Sequence, residues 1–232
     1  MKLLDLFCGA GGAAMGYYNA GFDVIVGVDC KPQKNYPFEF VQADVFDYLD
    51  CNSASRFDLI HASPPCQGYS VTCGLSSGEH PKLIPQVRER LIAIGGPYVI
   101  ENVPGAPLIN PIMLCGTMFG LRVIRHRLFE TVPTIFFAPA TCNHWGKSTS
   151  SARSSMRRSA QSGLRRGVAS LSDGYAFVTV FGHDFLVDDA KLAMGIDWMT
   201  QRELAQAIPP AYTNWLGKKI LSLIKEKENV KF

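Results

Sequence analysis

Hydrophobic positions along the chain fall into short runs separated by glycine, proline and polar residues, and the runs nearest the N-terminus are apolar without alternation. Lys2 to Phe7 and Val24 to Val28 therefore predict strands buried on both faces, as in a parallel sheet. Between them Gly9-Ala10-Gly11-Gly12 predicts a tight turn that opens a helix through about Ala20. Phe40 to Val45 is a third extended element, and Phe57-Asp58-Leu59-Ile60-His61 a fourth, stopped by Pro64-Pro65. Pro85 to Ile94 has helical spacing at Val87, Leu91 and Ile94, and Gly95-Gly96-Pro97 closes it before the strand Tyr98-Val99-Ile100. Leu121 to Phe129 reads as a further strand whose period of two sets Arg125 and Arg127 on one face. Tyr175 to Phe181 returns to a strand pattern. Asp188-Asp189 caps a helix through Met194, and Thr200 to Glu203 has the form of a capping box. Ile208-Pro209-Pro210 breaks that helix before a closing amphipathic one from about Thr213 to Lys227. Strands alternating with helices predict an α/β fold on an open sheet.

At 232 residues the chain fits one α/β domain and a small appendage. No apolar run approaches the roughly 18 residues of a spanning helix, so no membrane association is expected. The chain enters its first strand with no signal-like apolar region, which with seven cysteines and no C-x-x-C points to free thiols in a cytoplasm. Cys142-Asn143-His144 could be combined with Cys115 or Cys51 in a metal site, but without paired-ligand spacing no metal is expected. The net charge of +3 is too small to name a partner; its distribution says more. Five arginines, Arg153, Arg157, Arg158, Arg165 and Arg166, lie among serines and glycines, and no acid occurs from 140 until Asp173. That composition suits a basic arm contacting phosphates, with a plain solvated loop as the alternative.

Candidate chemistry gathers where strands end. Cys66 follows two prolines, and a thiol held on a stiff loop at the carboxyl end of a strand is either a nucleophile or a small buried hydrophobe. Ser70 to Glu79 after it has the composition of a lid. Glu101 follows three core residues at the end of its strand and is either a functional acid or a salt-bridged cap. Asp29 lies 20 residues after Gly9, the spacing at which nucleotide-binding units place a ribose-binding acid. Asp44 ends the next element, and both aspartates could instead be helix N-caps. Arg125 and Arg127 make an anion or base clamp, or a solvated edge.

In order, Asp5-Leu6-Phe7-Cys8-Gly9-Ala10-Gly11-Gly12, Ser63-Pro64-Pro65-Cys66-Gln67, Glu101-Asn102-Val103 and Arg125-His126-Arg127 resemble the motifs of the DNA cytosine-5 methyltransferases, in a compact solitary or bacteriophage-type version. The resemblance implies a Rossmann-like class I S-adenosylmethionine-dependent methyltransferase sheet with a small, reduced target-recognition segment. Residues 1–130 would carry the cofactor and nucleophile motifs, 131–175 the recognition segment, and 176–232 would complete the core. It implies S-adenosylmethionine held by Phe7, Gly9, Ala10, Gly11, Gly12, Asp29, Cys30, Asp44, Val45, Pro65 and Gln206. It implies Cys66 as the nucleophile at carbon 6 of a flipped cytosine, Glu101 as the acid at the ring nitrogen, and Arg125 and Arg127 on the carbonyl oxygen, favouring the thiolate. Double-stranded DNA would be the partner, met by Gln67, Ser70 and the arm arginines, with no obligate protein partner and a monomer expected, in a bacterial or phage-infected cytoplasm. Two departures stand out. Only about Thr131 to Asp173 is free for target recognition, so specificity is expected to be short or weak. The family's Gly-Asn-Ala-Val-Pro-Pro is replaced by Ala205-Gln206-Ala207-Ile208-Pro209-Pro210, which bears on cofactor affinity. RNA as the acceptor, a modified sulfonium donor, and a non-catalytic nucleic-acid-binding module on the same fold are the alternatives.

Overall fold

The apolar runs at 2–6, 24–29 and 59–62 become the centre of one seven-stranded sheet. The computed structural model describes residues 1–51, 54–69, 80–149, 170–182 and 185–229. The strands are β1 (Lys2–Leu6), β2 (Val24–Asp29), β3 (Glu39–Gln42), β4 (Leu59–Ala62), β5 (Tyr98–Asn102), β6 (Ile112–Leu114) and β7 (Arg127–Val132). Their spatial order is β3-β2-β1-β4-β5-β7-β6. The first five in that order run parallel, and β7 is antiparallel to both of its neighbours.

Successive residues of β1 serve opposite layers, as a period of two requires. Leu3 joins α1 (Gly12–Ala20) and α6 (Pro210–Asn229) through Tyr17, Tyr212, Leu216 and Ile220. Leu4 and Leu6 join α2 (Val45–Cys51) and α3 (Ile84–Ile94) through Val45, Leu49, Val87 and Leu91. Each fully buried Leu or Ile of these layers contributes about 1.5–3 kcal/mol. Helices α1 and α6 approach so closely that a Cβ on Gly16 would stand 2.1 Å from the Pro210 carbonyl oxygen, and Thr213 Oγ1 donates to the Ala13 carbonyl at 2.8 Å. The last helix is thereby fastened to the helix that follows the glycine loop.

A third apolar cluster unites Val123, Leu171, Val178 and Val180 with α4 (Val187–Met194) and α5 (Gln201–Gln206), and reaches Ala10. Several sequence expectations are corrected here. The strand expected over Leu121 to Phe129 is β7, and it begins only at Arg127 and runs on to Val132. It runs on because Glu130 is buried by a bidentate pair with Arg88 at 2.7 and 2.8 Å and accepts the Ile109 amide. Upstream, Val123 pairs with Val178 in an isolated bridge, so Tyr175 to Phe181 is not a strand but a segment holding two such bridges. Asp188 and Asp189 sit in the first turn of α4 rather than capping it, and Asp189 instead accepts the Ser170 hydroxyl and the Leu171 amide. The Thr200–Glu203 capping box forms as expected, the Thr200 amide donating to Glu203 at 2.7 Å.

Candidate active site

Every parallel strand ends on the same edge of the sheet. Strand order reverses between β1 and β4, and such a switch point opens a crevice at the carboxyl ends. The glycine loop leaves β1 on one side of it and the Ser63-Pro64-Pro65-Cys66 loop leaves β4 on the other, joined by the Ser63 amide donating to the Leu6 carbonyl at 3.1 Å.

The glycine loop is backed on one side and open on the other. A Cβ on Gly12 would meet the Ile208 carbonyl oxygen at 2.5 Å, and Trp198 Nε1 donates to the Ala10 carbonyl at 2.9 Å. Above Gly9 an added Cβ would meet nothing within 4 Å. The Gly9 amide donates to Asp29 Oδ2 at 3.1 Å, and the Lys31 amide to Asp29 Oδ1 at 2.9 Å. Each of these oxygens keeps a further acceptor site, enough for vicinal hydroxyls. Asp44 is exposed and caps α2, accepting the Phe46 amide at 2.8 Å, so the capping role holds for it and leaves its other oxygen outward. Cys30 and Gln206 are exposed, and Phe7 and Pro65 half-buried, at the same edge. Val45 is different: its side chain is buried in the core between sheet and α2, so only its backbone is offered to a ligand. This open face beside Gly9, flanked by carboxylates, fits a nucleoside-bearing cofactor.

The Cys66 loop is held from β5. Asn102 Nδ2 donates to the Pro64 carbonyl at 2.8 Å, while the Tyr69 amide turns back onto the Cys66 carbonyl at 3.0 Å. Cys66 is half-buried and Gln67 exposed. Glu101, the residue before Asn102, is buried within β5 rather than beyond its end, and pairs with Arg127 Nε at 3.1 Å. Burial pushes its carboxyl above the ordinary range, against Arg127, the Ser63 hydroxyl and Arg125, which pull it down. The acid form of this carboxyl therefore persists to higher pH than that of an exposed glutamate.

Arg125 and Arg127 do not share one strand face as expected, since β7 begins only at Arg127. Arg125 precedes β7 and is buried, donating from Nη1 to the Val180 carbonyl at 2.6 Å and from Nη2 to the Ala205 carbonyl at 2.8 Å. The Tyr212 hydroxyl donates to the Arg125 carbonyl at 2.6 Å. Burial, then Arg127, lowers the guanidinium's pKa to about 9, while Glu101, Tyr212 and Cys66 act to raise it. Nε of Arg125 has no hydrogen-bond partner among the described residues. Arg127 is the arginine on Glu101, and Arg125 ties the closing motif and the segment around Val180 to the site. Ser70, Arg153, Arg157, Arg158, Arg165 and Arg166, and the lid at Ser70 to Glu79, lie outside the described residues.

Sequence reasoning overlooked the buried chain behind Glu101. Tyr17 Oη lies 3.1 Å from His61 Nδ1, His61 Nε2 lies 3.0 Å from Ser63 Oγ, and Ser63 bonds Glu101. Burial keeps the tyrosine protonated and lowers the imidazole from 6.5 to about 3. A neutral imidazole has one donor and one acceptor, so Tyr17 donates to Nδ1, Nε2–H donates to Ser63, and the serine hydroxyl donates onward to Glu101. The signal was present as a histidine in an apolar run, two residues before Ser63 on the same strand face. Between pH 6.5 and 3 the unfolded chain binds a proton that folded His61 refuses, so folding stability rises with pH in that window and is lost on acidification. Between pH 7 and 5 the wild type should lose about 2 kcal/mol more than His61→Gln, measured by urea unfolding; equal losses would remove His61 as the cause.

The strand order with β7 antiparallel and the glycine loop at the switch point define a Rossmann-like class I methyltransferase fold. Residues 1–106 match the model of the C-5 cytosine-specific DNA methylases, and the chain spans less than two thirds of the length of the curated relatives it matches. It is 33% identical over 88 residues to Type II methyltransferase M.FnuDI of Fusobacterium nucleatum, across 35% of this chain and 25% of that relative. It is 33% identical over 79 residues to Type II methyltransferase M.HgiGI of Herpetosiphon aurantiacus, across 30% of this chain and 63% of that relative. An E. coli prophage protein described as a DNA modification methyltransferase shares the fold with a TM-score of 0.66 at 16% identity, over 97% of this chain and 99% of its own. The S. pombe Dnmt2 methyltransferase shares it with a TM-score of 0.61 at 13% identity, over 100% and 99%.

Proposed function

We propose that the protein methylates carbon 5 of cytosine in double-stranded DNA, with S-adenosylmethionine as donor. What supports this is that Asn102, next to Glu101 of the buried Glu101–Arg127 pair, pins the loop carrying Cys66, and that this loop leaves the sheet beside an open glycine loop. Gly9, Asp29 and Asp44 hold the cofactor's nucleoside, and the cofactor supplies a methyl group on a sulfonium. Phe7, Ala10, Gly11, Gly12, Cys30, Pro65 and Gln206 line the same edge in this reading, with the backbone of Val45.

Carbon 5 of cytosine is a weak nucleophile. The Cys66 thiolate adds to carbon 6, the electron pair moves to carbon 5, and the methyl group is taken from there. Glu101 in its acid form donates to the ring nitrogen where charge would otherwise collect, and Arg127 holds that carboxyl in place. Loss of the carbon 5 proton then expels the thiolate and restores the ring. A stacked base hides carbon 6, so the cytosine is flipped out of the duplex. The arginines from Arg153 to Arg166 contact phosphates, and the short span from Thr131 to Asp173 limits specificity. Residues 1–130 and 176–232 form the catalytic unit in this reading, acting as a monomer in a bacterial or phage-infected cell.

The test is transfer of labelled methyl from S-adenosylmethionine to duplex DNA and, in parallel, to transfer RNA, with modified cytosines mapped. Label in cytosine of DNA at a short or degenerate site is expected. Label in RNA alone would replace the substrate, and label in neither, from folded protein that binds the cofactor, would overturn the reading.

A further inference from the structure

His126, next in sequence to Arg127, belongs to a second group of side chains that the proposed chemistry does not use. Cys115 follows β6, His126 sits between Arg125 and Arg127, and Cys142 and His144 come from the segment beyond β7. Potential ligand atoms of Cys115, His126 and His144 all lie within 4.8 Å of one another. Cys115 Sγ is 3.4 Å from His144 Nε2, and Cys142 Sγ is 3.8 Å from His126 Nε2. The two imidazoles stand edge to face with centroids 4.9 Å apart.

One thiol beside one imidazole is an ordinary hydrogen bond. Two such pairs are a different matter, because Cys115, His126 and His144 already gather one sulfur and two imidazoles, and Cys142 joins them through His126. With Zn–S near 2.3 Å and Zn–N near 2.05 Å at tetrahedral angles, a sulfur-to-nitrogen edge measures about 3.6 Å. The two observed separations bracket that edge. All six described cysteines are free, so both thiols are available as ligands.

We propose that Cys115, His126, Cys142 and His144 form a structural zinc site of the Cys2His2 type. Four protein ligands close the coordination shell, which marks a structural rather than a catalytic ion. The site would fasten the segment at 142–144 to the sheet edge at Cys115 and to His126, between the two arginines of the catalytic site. Its place in the fold gives the reason for it. The stretch from Phe136 to Lys147 is exposed almost throughout, with Phe136, Phe137 and Trp145 at 78%, 84% and 88%, and has no core of its own to hold it. Short segments of that kind are commonly held by a metal instead. The proposal departs from the expectation of no metal, drawn from the missing C-x-x-C, because its ligands would come from three separate segments, around Cys115, His126 and Cys142-Asn143-His144.

The test is metal content of the full chain, purified, incubated with zinc and passed through a desalting column. About one equivalent of zinc per chain is expected, falling to below about a fifth in Cys142→Ser and His144→Asn, whose positions are half-buried and exposed and so tolerate substitution. Cys51→Ser, an exposed cysteine elsewhere, should retain the full equivalent. Cobalt in place of zinc should give the intense visible bands of a tetrahedral thiolate site, lost in the same two variants. Sub-stoichiometric zinc in the wild type, or zinc and cobalt spectra unchanged in both variants, would overturn the assignment. Neither readout depends on methyl transfer.

Discussion

Cys66→Ala should lower methyl transfer by on the order of 10⁴-fold or more while leaving the fold and cofactor binding intact. The size follows from the chemistry. Without a sulfur at carbon 6 the ring cannot load electron density onto carbon 5, and no neighbouring group replaces that bond. The specificity of the effect follows from the geometry. The loop is fixed by Asn102 on the Pro64 carbonyl and by its own turn at Tyr69, and neither contact uses the thiol. The cofactor edge is built from Gly9, Asp29 and the Trp198 bond to Ala10, none of which involves Cys66. Transfer and cofactor affinity should therefore separate cleanly. The measurement pairs initial rates of label transfer with calorimetric titration of S-adenosylmethionine. A Cys66→Ala protein within tenfold of the wild-type rate would end the covalent mechanism, whereas weakened cofactor binding would mean that the loop, not the sulfur, had been damaged.

Residues with local signatures were legible before any coordinates. Asp29 announced itself by its distance from Gly9 and Cys66 by its prolines, because a short turn and a strand end are fixed by neighbours in sequence. The sheet was legible for the same reason: its apolar runs have no alternation, and such runs belong between two layers. What escaped was held by long-range contacts. Arg125 and Arg127 were expected to act alike on one strand face. The Val180 and Ala205 carbonyls, 55 and 80 residues away, capture one of them and leave the other on Glu101. A buried guanidinium must find acceptors wherever the fold supplies them, and no period in the sequence marks where that will be. Asn102 reads as part of a motif, yet its work is to brace Pro64 in the loop that leaves the adjacent strand. The Cys115, His126 and His144 cluster is the same case, since β6, β7 and the segment beyond them meet only after the sheet has closed.

Glu101→Gln should cost about 10²- to 10⁴-fold in kcat and should change the shape of the pH profile as well as its height. Glutamine keeps the size of the side chain and an N–H donor, so the base can still be recognised, but it has no proton to give up. Burial holds the Glu101 carboxyl above its ordinary value in spite of Arg127, Ser63 and Arg125, so the acid form persists to higher pH than a surface glutamate would allow. The wild-type rate should then decline on the alkaline side as that proton is lost, and the glutamine variant should lack this limb. The Tyr17–His61–Ser63 chain ends on the same carboxyl, so Ser63→Ala, which removes a hydrogen bond favouring the charged form, should shift the wild-type limb to higher pH rather than abolish it. A structural role alone would lower the rate equally at every pH. Initial rates on saturating DNA across the pH range in which the protein stays folded decide between the two, and a glutamine variant with the wild-type profile at reduced height would remove Glu101 as the proton donor while leaving it as a brace for Arg127.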